Sequence, residues 1–447
     1  MAATATEGRE HVLQIAGERR VRYIRLWFTD ILGFLKSFAI PISQLERALD
    51  RGIGFDGSSI EGFARIDESD MIAMPDPRTF QILPWPSESG SVVGCMFCDI
   101  RQPDGSPYEG DPRWVLKKNL QAAAELGYDF FVGPELEYFY FKNSHGTPQV
   151  LDRGGYFDLT PLDVASELRK KTVDALGLMD IPVEMSHHEV ACSQHEIDLE
   201  FAQALTMADR AMTYRLVVKE VALREGLYAT FMPKPIYGQN GSGMHVHQSL
   251  FRDGQNAMFD ADDPYYLSPT AKHYIAGLLK HAREITLVTN QWVNSYKRLV
   301  PGYEAPVYVT WARKNRSDLV RVPDYYPGRE QATRVEYRSP DPACNPYLAF
   351  ALMLAAGLEG IKRGYDLPDP VQRNVYRMTD EERVQAGIET LPADLSEAIY
   401  VTSKSQMVRE ALGEHVFSKL IENKRIEWEQ YRAQVTSYEI EQYLPIL

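Results

Sequence analysis

The chain has 447 residues, of which 44% are hydrophobic and 25% are charged, and its formal net charge is −14. This length exceeds that of one usual hydrophobic core and predicts two domains, while the composition is that of an ordinary soluble globular protein. The acidic balance argues against a general nucleic-acid-binding protein and against one that docks on anionic membranes.

No secretory or membrane-spanning signal is visible. The N-terminus, MAATATEGREHVLQ, lacks a basic-then-apolar pattern. The most apolar run, residues 347–358, is too short to span a bilayer and predicts a buried core helix. Cys95 and Cys98 form a lone CxxC without the second pair that a zinc site needs. We therefore expect a cytoplasmic protein with reduced thiols.

The first hundred residues predict a small mixed sheet. The strand-like runs are VRYIRLWFTDI, FLKSFAIPI, TFQILPWP and VVGCMFCDI. One helix interrupts them in SQLERALDRG, with Ser43 as its predicted N-cap. The Pro/Gly/Asp-rich segment 102–113 follows. We accordingly predict an N-terminal domain over residues 1–108 and a second domain over residues 109–447.

The second domain predicts an α+β arrangement. Asp111 and Pro112 begin a helix that Gly127 closes, and a strand follows in YDFFVGPELEYFYF. Another helix begins at Ser268, just before a proline, and buries one apolar face. The chain beyond about residue 369 is helical and charge-rich, with its clearest amphipathic stretch in EALGEHVFSKLIENKRIEWEQY.

Four segments of this domain carry candidate metal ligands. Because residues i and i+2 of a strand share a face, GPELEYF pairs two glutamates, MHVH pairs two histidines, and RVEYR pairs a glutamate with an arginine. SHHEVACSQHEID adds two more glutamates. Buried carboxylates are costly unless they are paired or bound to a cation, and carboxylate-rich sets suit Mg²⁺ or Mn²⁺. The candidate ligands are Glu135, Glu137, Glu189, Glu196, His245, His247 and Glu336, and Arg338 shares a face with Glu336.

Each segment alone has an ordinary interpretation as a solvated face or as packing. Five nearby arginines point to phosphate or carboxylate recognition, although surface salt bridges are their usual use; they are Arg298, Arg316, Arg321, Arg334 and Arg338. GIGFDG at residues 52–57 matches a dinucleotide-binding pattern by letter, but it follows a helix and opens none, so it fails the test of context.

Eight motifs resemble those of bacterial type I glutamine synthetases, and the likeness covers essentially the whole chain. They are FDGSSIEGF, GPELEYF, HHEVACSQHEID, NGSGMHVHQSLF, NSYKRLVPGYEAP, NRSDLVRVP, RVEYRSPDPACNPYLAF and ALGEHVF. The resemblance implies a small N-terminal β-grasp domain and a larger C-terminal catalytic domain of the glutamine synthetase and guanido kinase type. It also implies a homo-dodecamer of two hexameric rings, with active sites between subunits.

The implied activity is that of a ligase. It joins ammonia to the γ-carboxylate of L-glutamate through a γ-glutamyl phosphate, and ATP becomes ADP and phosphate. Two or more Mg²⁺ or Mn²⁺ ions per site are implied. One would be held by Glu135, His245 and Glu336 near the ATP phosphates, and the other by Glu137, Glu189 and Glu196.

The resemblance assigns further residues to substrates. For ATP they are Glu184, Phe201, His247, Ser249, Arg316, Arg321 and Arg334. For glutamate and ammonium they are Asn240, Gly241, Arg298, Glu304, Arg316, Arg338 and Tyr156. Asp56 would reach in from the adjacent subunit to deprotonate ammonium, Glu304 would close the site as a flap, and Arg316 would neutralise charge during phosphoryl transfer. Strict alternation separates Glu184 from Glu189, so we expect a bulge or bend between them.

The tail resembles the α subtype, which is not adenylylated, and we expect Tyr376 to be unmodified. Arg65 matches an arginine that mediates glutamine feedback in some α enzymes. The loop 322–333 is longer than usual and lacks a lysine that often contacts ATP, for which Arg329 is a substitute.

Three alternatives remain. Some relatives join glutamate to polyamines or ethanolamine, although the presence of both Asp56 and Glu304 favours ammonia. A metal-dependent hydrolase would need more histidines near the metal. A non-catalytic relative would have lost ligands, and all six are present.

Overall fold

The structure, a computed structural model, describes residues 2–62, 70–85, 90–313 and 318–447, with residues 2–6 described by their backbone alone. Arg65 and Arg316, to which the sequence assigns roles, lie outside these ranges.

The N-terminal part forms a mixed sheet, as the sequence predicts, but it has six strands, two more than the four predicted runs. Its strands run in the order β2-β1-β6-β4-β3, with β5 on β6, and β1 is parallel to β6 but antiparallel to β2. The elements are α1 (Ala2–Glu18), β1 (Val21–Thr29), β2 (Leu35–Pro41), α2 (Leu45–Arg51), β3 (Ile53–Asp56), β4 (Asp70–Pro75), β5 (Gln81–Ile82) and β6 (Val92–Arg101).

Two details of this part differ from what the sequence predicts. Helix α1 was not predicted. Ser43 is not an N-cap, because it lies inside a short 3₁₀ turn, Ile42–Gln44, and Gln44 occupies the cap position of α2 without a side-chain bond. The GIGFDG segment forms β3 and enters a second 3₁₀ turn, Gly57–Ile60, and no α-helix follows it before Gly62, where this described range ends.

The two faces of this sheet contribute to different hydrophobic cores, because side chains alternate along a strand. In β1, Leu26 and Phe28 pack in the N-terminal core, whereas Trp27 between them packs in the core of the second domain. In β6, Met96 and Phe97 divide in the same way. One face of the N-terminal sheet thus packs directly on the core of the second domain.

The second part contains a ten-stranded sheet and eleven helices within the described residues. The elements are α3 (Pro112–Glu125), β7 (Asp129–Phe141), α4 (Ser166–Gly177), β8 (Val183–His188), β9 (Gln194–Leu199), β10 (Ala202–Gln203), α5 (Ala204–Arg224), β11 (Tyr228–Thr230), β12 (Met244–Arg252), β13 (Gln255–Asn256), α6 (Pro269–Thr289), α7 (Ser295–Arg298), β14 (Tyr308–Ala312), β15 (Asp318–Arg321), β16 (Val335–Tyr337), α8 (Pro346–Arg363), α9 (Asp380–Gln385), α10 (Leu395–Ser403), α11 (Gln406–Leu412), α12 (Glu414–Arg432) and α13 (Ser437–Tyr443).

The sheet runs in the order β14-β15-β16-β12-β7-β9-β8, and β7 also pairs with the short strands β10 and β11. Helices α5, α6 and α8 form the core behind it. The predicted buried helix is α8, where residues 347–354 are fully buried. A Cβ on Gly277 of α6 would lie 2.2 Å from the Ala356 carbonyl of α8, so a glycine permits this close helix contact.

The predicted helix boundaries are largely confirmed. Asp111 accepts a bond from the Arg113 amide at 2.9 Å ahead of Pro112, and Ser268 Oγ accepts one from the Ala271 amide at 3.1 Å. The predicted amphipathic stretch is divided at Gly413, whose φ of 81° separates α11 from α12. All four cysteines are free. Among the described residues, no helix combines the length and the apolar character needed to cross a membrane.

Candidate active site

Strand β7 and its neighbours β9, β12 and β16 bring the predicted ligands to one place. Glu135 of β7 lies opposite His245 of β12, and Glu137 lies opposite Glu196 of β9. Since alternate residues of a strand share a face, both glutamates project toward the same side. Glu336 of β16 joins them through its pairing with β12.

The first ligand group consists of Glu135, His245 and Glu336. His245 Nδ1 lies 3.2 Å from a Glu135 oxygen and 3.7 Å from a Glu336 oxygen. Burial opposes the charge on Glu135, but hydrogen bonds from His245 and His247 outweigh it and hold the pKa of this carboxyl well below its usual range. Burial likewise opposes the charge on Glu336, and Arg338 outweighs it, which leaves the Glu336 pKa at about 2.

The second ligand group consists of His187, Glu189 and Glu196, and the predicted ligand Glu137 lies beside it, opposite Glu196 in the pairing of β7 with β9. His187 Nε2 lies 3.3 Å from a Glu196 oxygen, and Glu137 accepts bonds from the Gly243 amide at 2.9 Å and from Gln194 Nε2 at 2.7 Å. Burial, followed by repulsion from Glu189, raises the pKa of Glu137 to about 8. Burial also raises the pKa of Glu189 to about 7 and that of Glu196 well above its usual value.

The donor set fits divalent cations. Mutually repelling carboxylates in a buried cluster hold protons unless positive charge replaces them. Asp198, opposite Glu135 in β9, has its pKa raised to about 7 by burial and then by Glu135, and its buried Oδ1 has no hydrogen-bond partner. Carboxylates outnumber histidines here, which favours hard cations over zinc.

These groups line a cavity of about 360 Å³. Arginines stand on its wall: Arg338 Nη1 contacts one Glu336 oxygen, and Arg321 Nη1 lies 2.8 Å from the other. The described residues that line the cavity and were predicted from the sequence are Glu135, Glu137, Tyr156, Glu189, Glu196, Asn240, Gly241, His245, Arg298, Glu304, Arg321, Glu336 and Arg338.

Arg298 lies in the cavity wall through close contact with two glycines. Its guanidinium donates to the Ser339 carbonyl at 2.6 Å and to the Pro340 carbonyl at 3.2 Å. A Cβ on Gly241 would lie 3.1 Å from the Arg298 side chain, and one on Gly243 would lie 2.5 Å from its Nη2. These glycines therefore give the arginine its room.

Glu304 faces Asn240 across the mouth of the cavity. Asn240 Nδ2 donates to Glu304 Oε2 at 3.1 Å. Glu304 has a φ of 58°, an uncommon left-handed conformation for a residue other than glycine and one that often marks a functional constraint.

Two family models match the chain: the glutamine synthetase catalytic domain over residues 109–443 and the glutamine synthetase beta-grasp domain over residues 20–103. The chain belongs to the glutamine synthetase family. The β-grasp and α+β architecture expected from the sequence is confirmed by these matches.

Relatives agree along nearly the whole chain. The glutamine synthetase of Methanosarcina mazei is 53% identical over 442 residues, which cover 98% of each chain. That of Mycobacterium tuberculosis strain H37Rv is 54% identical and covers 98% of this chain and 99% of its own. A solved GmaS/ADP complex is 32% identical, with a TM-score of 0.87 over 97% of this chain and 99% of its own. As a member of the glutamine synthetase family, the chain is a ligase.

Other residues assigned by likeness to glutamine synthetases lie outside the cavity lining. His247 continues the face of β12 beyond His245 and bonds Glu135 at 2.7 Å and Arg334 at 3.2 Å. Ser249, next on that face, donates to the Thr333 carbonyl at 3.0 Å. Phe201 is 63% exposed.

Glu184 is exposed on β8 and lies outside the cavity lining. The register of β8 on β9 shifts between Val183 and Met185, so the irregularity lies at Glu184 itself, whereas the sequence predicts it between Glu184 and Glu189. Asp56 does not line the cavity either. It ends β3 in the glutamine synthetase N-terminal domain, where its carboxylate accepts bonds from the Ser58 amide and hydroxyl, both at 2.9 Å.

Two site residues of this glutamine synthetase relative, His187 and Asp198, were not predicted from the sequence. The alternation rule that paired the glutamates of β7 also pairs His187 with Glu189, and Glu196 with Asp198. That signal was present in SHHEVACSQHEID.

Proposed function

We propose that the protein joins ammonia to the γ-carboxylate of L-glutamate through a γ-glutamyl phosphate, converting ATP to ADP and phosphate. The observation that carries the proposal is the pair of carboxylate-rich groups within one arginine-walled cavity. Membership of the glutamine synthetase family supports the overall reaction. The GmaS/ADP complex, which resembles this chain along its length, supports a nucleotide site.

Two or more Mg²⁺ or Mn²⁺ ions would be held here, one by Glu135, His245 and Glu336 and another by Glu137, Glu189 and Glu196. When bound, such ions supply positive charge to the transferring phosphoryl group. Their ligands are held before binding by backbone and side-chain bonds, such as those from Gly243 and Gln194 to Glu137.

The chain's own residues orient the substrates. Arg298 and Arg338 would bind the carboxylates of glutamate, with Asn240 and Gly241 beside them, because a guanidinium matches a carboxylate in two-pronged fashion. Glu304, bonded to Asn240, would close the site against water, and Tyr156 would line the ammonium pocket. Arg316 would neutralise developing charge, and Asp56 of an adjacent subunit would take a proton from ammonium. ATP would contact Glu184, Phe201, His247, Ser249, Arg321 and Arg334.

We further propose that the protein is cytoplasmic, divides after residue 108, and forms a dodecamer of the bacterial type I α subtype, without adenylylation. Tyr376 is half-buried, and its hydroxyl donates to the Ala305 carbonyl at 2.6 Å, an arrangement that disfavours modification. Arg65 would mediate feedback by glutamine.

The test is phosphate release from ATP with glutamate and Mg²⁺, with ammonium, ethanolamine, putrescine and spermine compared. We expect the highest kcat/KM with ammonium. A higher value with a larger amine would leave the acyl-phosphate chemistry and overturn ammonia as the acceptor. A Glu336→Gln variant is the control, and it should abolish phosphate release with every acceptor.

A further inference from the structure

The segment that follows Asp56 contacts the catalytic domain of its own subunit through Glu61. Glu61 is buried, with 7% of its surface exposed. Its Oε1 accepts a hydrogen bond from the Tyr108 hydroxyl at 2.9 Å and lies 3.1 Å from His415 Nε2. Lys419 Nζ lies 3.6 Å from Oε2. A buried glutamate surrounded by a hydroxyl, an imidazole and a lysine is costly to displace.

Hydrogen bonds also hold the backbone of Ile60 and Glu61 in place. The Glu61 carbonyl accepts a bond from Asn423 Nδ2 at 3.0 Å, and the Ile60 carbonyl accepts one from the Ile31 amide at 3.0 Å. A Cβ on Gly62 would lie 2.7 Å from Asn423 Oδ1, so the chain passes directly over helix α12. His415, Lys419 and Asn423 lie along one face of this helix, four residues apart.

Four residues separate Asp56 from Glu61, and they form a single 3₁₀ turn, Gly57–Ile60, that Asp56 itself caps. On its other side Asp56 belongs to β3, an edge strand that pairs only with β4 among the described strands. An edge strand alone holds its end weakly, since a neighbouring strand pairs with it on one side only. The position of the Asp56 carboxylate is thus determined by this turn and by the contacts that Glu61 makes at the end of the turn.

We propose that Glu61, held by Tyr108 and α12, is a positioning residue for Asp56 in the ammonium-dependent step. This inference rests on the proposed function of Asp56. Glu61 touches no reacting atom, and it acts by fixing where the capped turn presents the carboxylate. Loss of the Glu61 contacts then weakens ammonium binding, because the Asp56 carboxylate is no longer held in position. The cavity for glutamate and cations is unaffected, because other hydrogen bonds hold its residues.

The experiment measures KM for ammonium, glutamate and ATP on full-length Glu61→Ala, Glu61→Gln and Tyr108→Phe, with Asp56→Asn as reference. We expect Glu61→Ala to raise the ammonium KM about tenfold or more, equivalent to the loss of about 1.4 kcal/mol of binding. The KM values for glutamate and ATP should stay within about twofold of the parent. Glu61→Gln can still accept the Tyr108 bond, so it should restore part of the loss.

Tyr347→Phe is the matched control. The Tyr347 hydroxyl also donates to a buried carboxylate, Asp209, at 2.5 Å, but in the core of the catalytic domain. It should lower the Tm without changing the ammonium KM. Tyr108→Phe should lower the Tm to a comparable extent and raise the ammonium KM.

The outcomes separate the two hypotheses. If Asp56→Asn raises the ammonium KM and Glu61→Ala does not, the positioning role is wrong and the proposed function stands. If Glu61→Ala lowers kcat and raises all three KM values together, Glu61 is merely structural and the inference is overturned. If Asp56→Asn leaves the ammonium KM unchanged, the role proposed for Asp56 is wrong, and the positioning role falls with it.

Discussion

The carboxyl group of Glu137 is one of four in the site, with those of Glu189, Glu196 and Asp198, whose pKa burial raises and through which the cation-binding groups respond to pH. Burial and Glu189 raise its pKa to about 8, from an ordinary value of 4.5. Between those values the folded, metal-free protein binds a proton that the unfolded chain does not, so this stabilising contribution is lost as the pH rises toward 8. A divalent cation competes with the same proton. We therefore expect Mn²⁺ to raise the Tm more at about pH 8.5 than at about pH 6.5.

Differential scanning calorimetry at both pH values, with and without Mn²⁺, tests this expectation. Glu137→Gln is the control, because an amide of similar shape neither titrates nor replaces the carboxylate as a ligand. It should weaken the Mn²⁺ effect and flatten its pH dependence. A Tm increase of equal size at both pH values in the unsubstituted protein would contradict the assignment.

Gly243 is the second residue on which the cavity depends. A methyl group there would meet Arg298 Nη2 at 2.5 Å and Glu137 Oε1 at 3.3 Å. Gly243→Ala should therefore displace the arginine and raise the KM for glutamate about tenfold, since overpacking of this kind costs about 1–3 kcal/mol. Gly177→Ala, at a helical glycine with open space around it, is the control and should leave this KM unchanged. Equal glutamate KM values in the two variants would argue against a role for Arg298.

At this scale the alternation of side chains explains how far the sequence predicts the site. It pairs Glu135 with Glu137 and His245 with His247 from sequence position alone, because each pair lies within one strand. It says nothing of how strands align, so the apposition of Glu135 and Asp198 came only from the β7–β9 register. The left-handed backbone of Glu304 was equally invisible, because it belongs to a loop.

Among the helices, α8 connects the two domains through its first residues. Asn345 caps it by accepting bonds from the Tyr347 and Leu348 amides at 3.1 and 3.4 Å. Its Nδ2 also donates to the Asp30 and Ile31 carbonyls at 3.0 and 3.2 Å. One side chain thus serves as a helix cap and as a domain contact.

Asn345→Ala should remove both sets of bonds and destabilise the protein by about 2 kcal/mol or more, read as a lower urea midpoint. The comparison is Thr379→Ala, which removes the cap of the exposed helix α9 and should cost about 1 kcal/mol. Equal shifts of the two midpoints would mean that the domain contact adds nothing to the cap.

Elements with strong local signals were predicted well, whereas those that depend on tertiary contacts were not. Helices α3 and α6 begin at a cap followed by proline, as the sequence indicates. Helix α1 has no side-chain cap signal and was missed. The two-residue strands β10 and β13 are too short for any periodic pattern, and they form because β7 and β12 offer them hydrogen bonds.

Across the whole molecule, Arg113 is the buried cation that joins the domains. It is 3% exposed and pairs with Asp76 and Asp99 of the N-terminal part and Asp209 of α5. Burial opposes the charge on Asp76, but Arg78 and Arg113 outweigh it and hold its pKa below the usual range. This part of the stability is present above about pH 4 and is lost as the pH falls further.

Arg113→Met should leave three aspartates without their shared cation and destabilise the protein by about 3–5 kcal/mol. Urea unfolding followed by tryptophan fluorescence measures the effect, because Trp27 lies between the two domains. Arg9→Met, which removes an exposed pairing with Glu46 and Asp50, is the control and should leave the urea midpoint almost unchanged, because solvent screens exposed ion pairs. A similar shift of the urea midpoint in both variants would show that the ion pairs of Arg113 do not stabilise the contact between the domains.

The contact between Glu61 and α12 cannot form until the ribosome has synthesised α12, near the end of the chain. At about 5–20 residues per second, the 362 residues that separate Glu61 from Asn423 emerge from a ribosome over roughly 20–70 s. Throughout that interval the strands of the N-terminal sheet are present, but α12, which contacts Glu61, is not. The sheet face that packs on the core of the second domain also lacks its partner. Nascent chains of this fold thus expose apolar sheet surface until synthesis is almost complete, which makes them natural clients of holding chaperones.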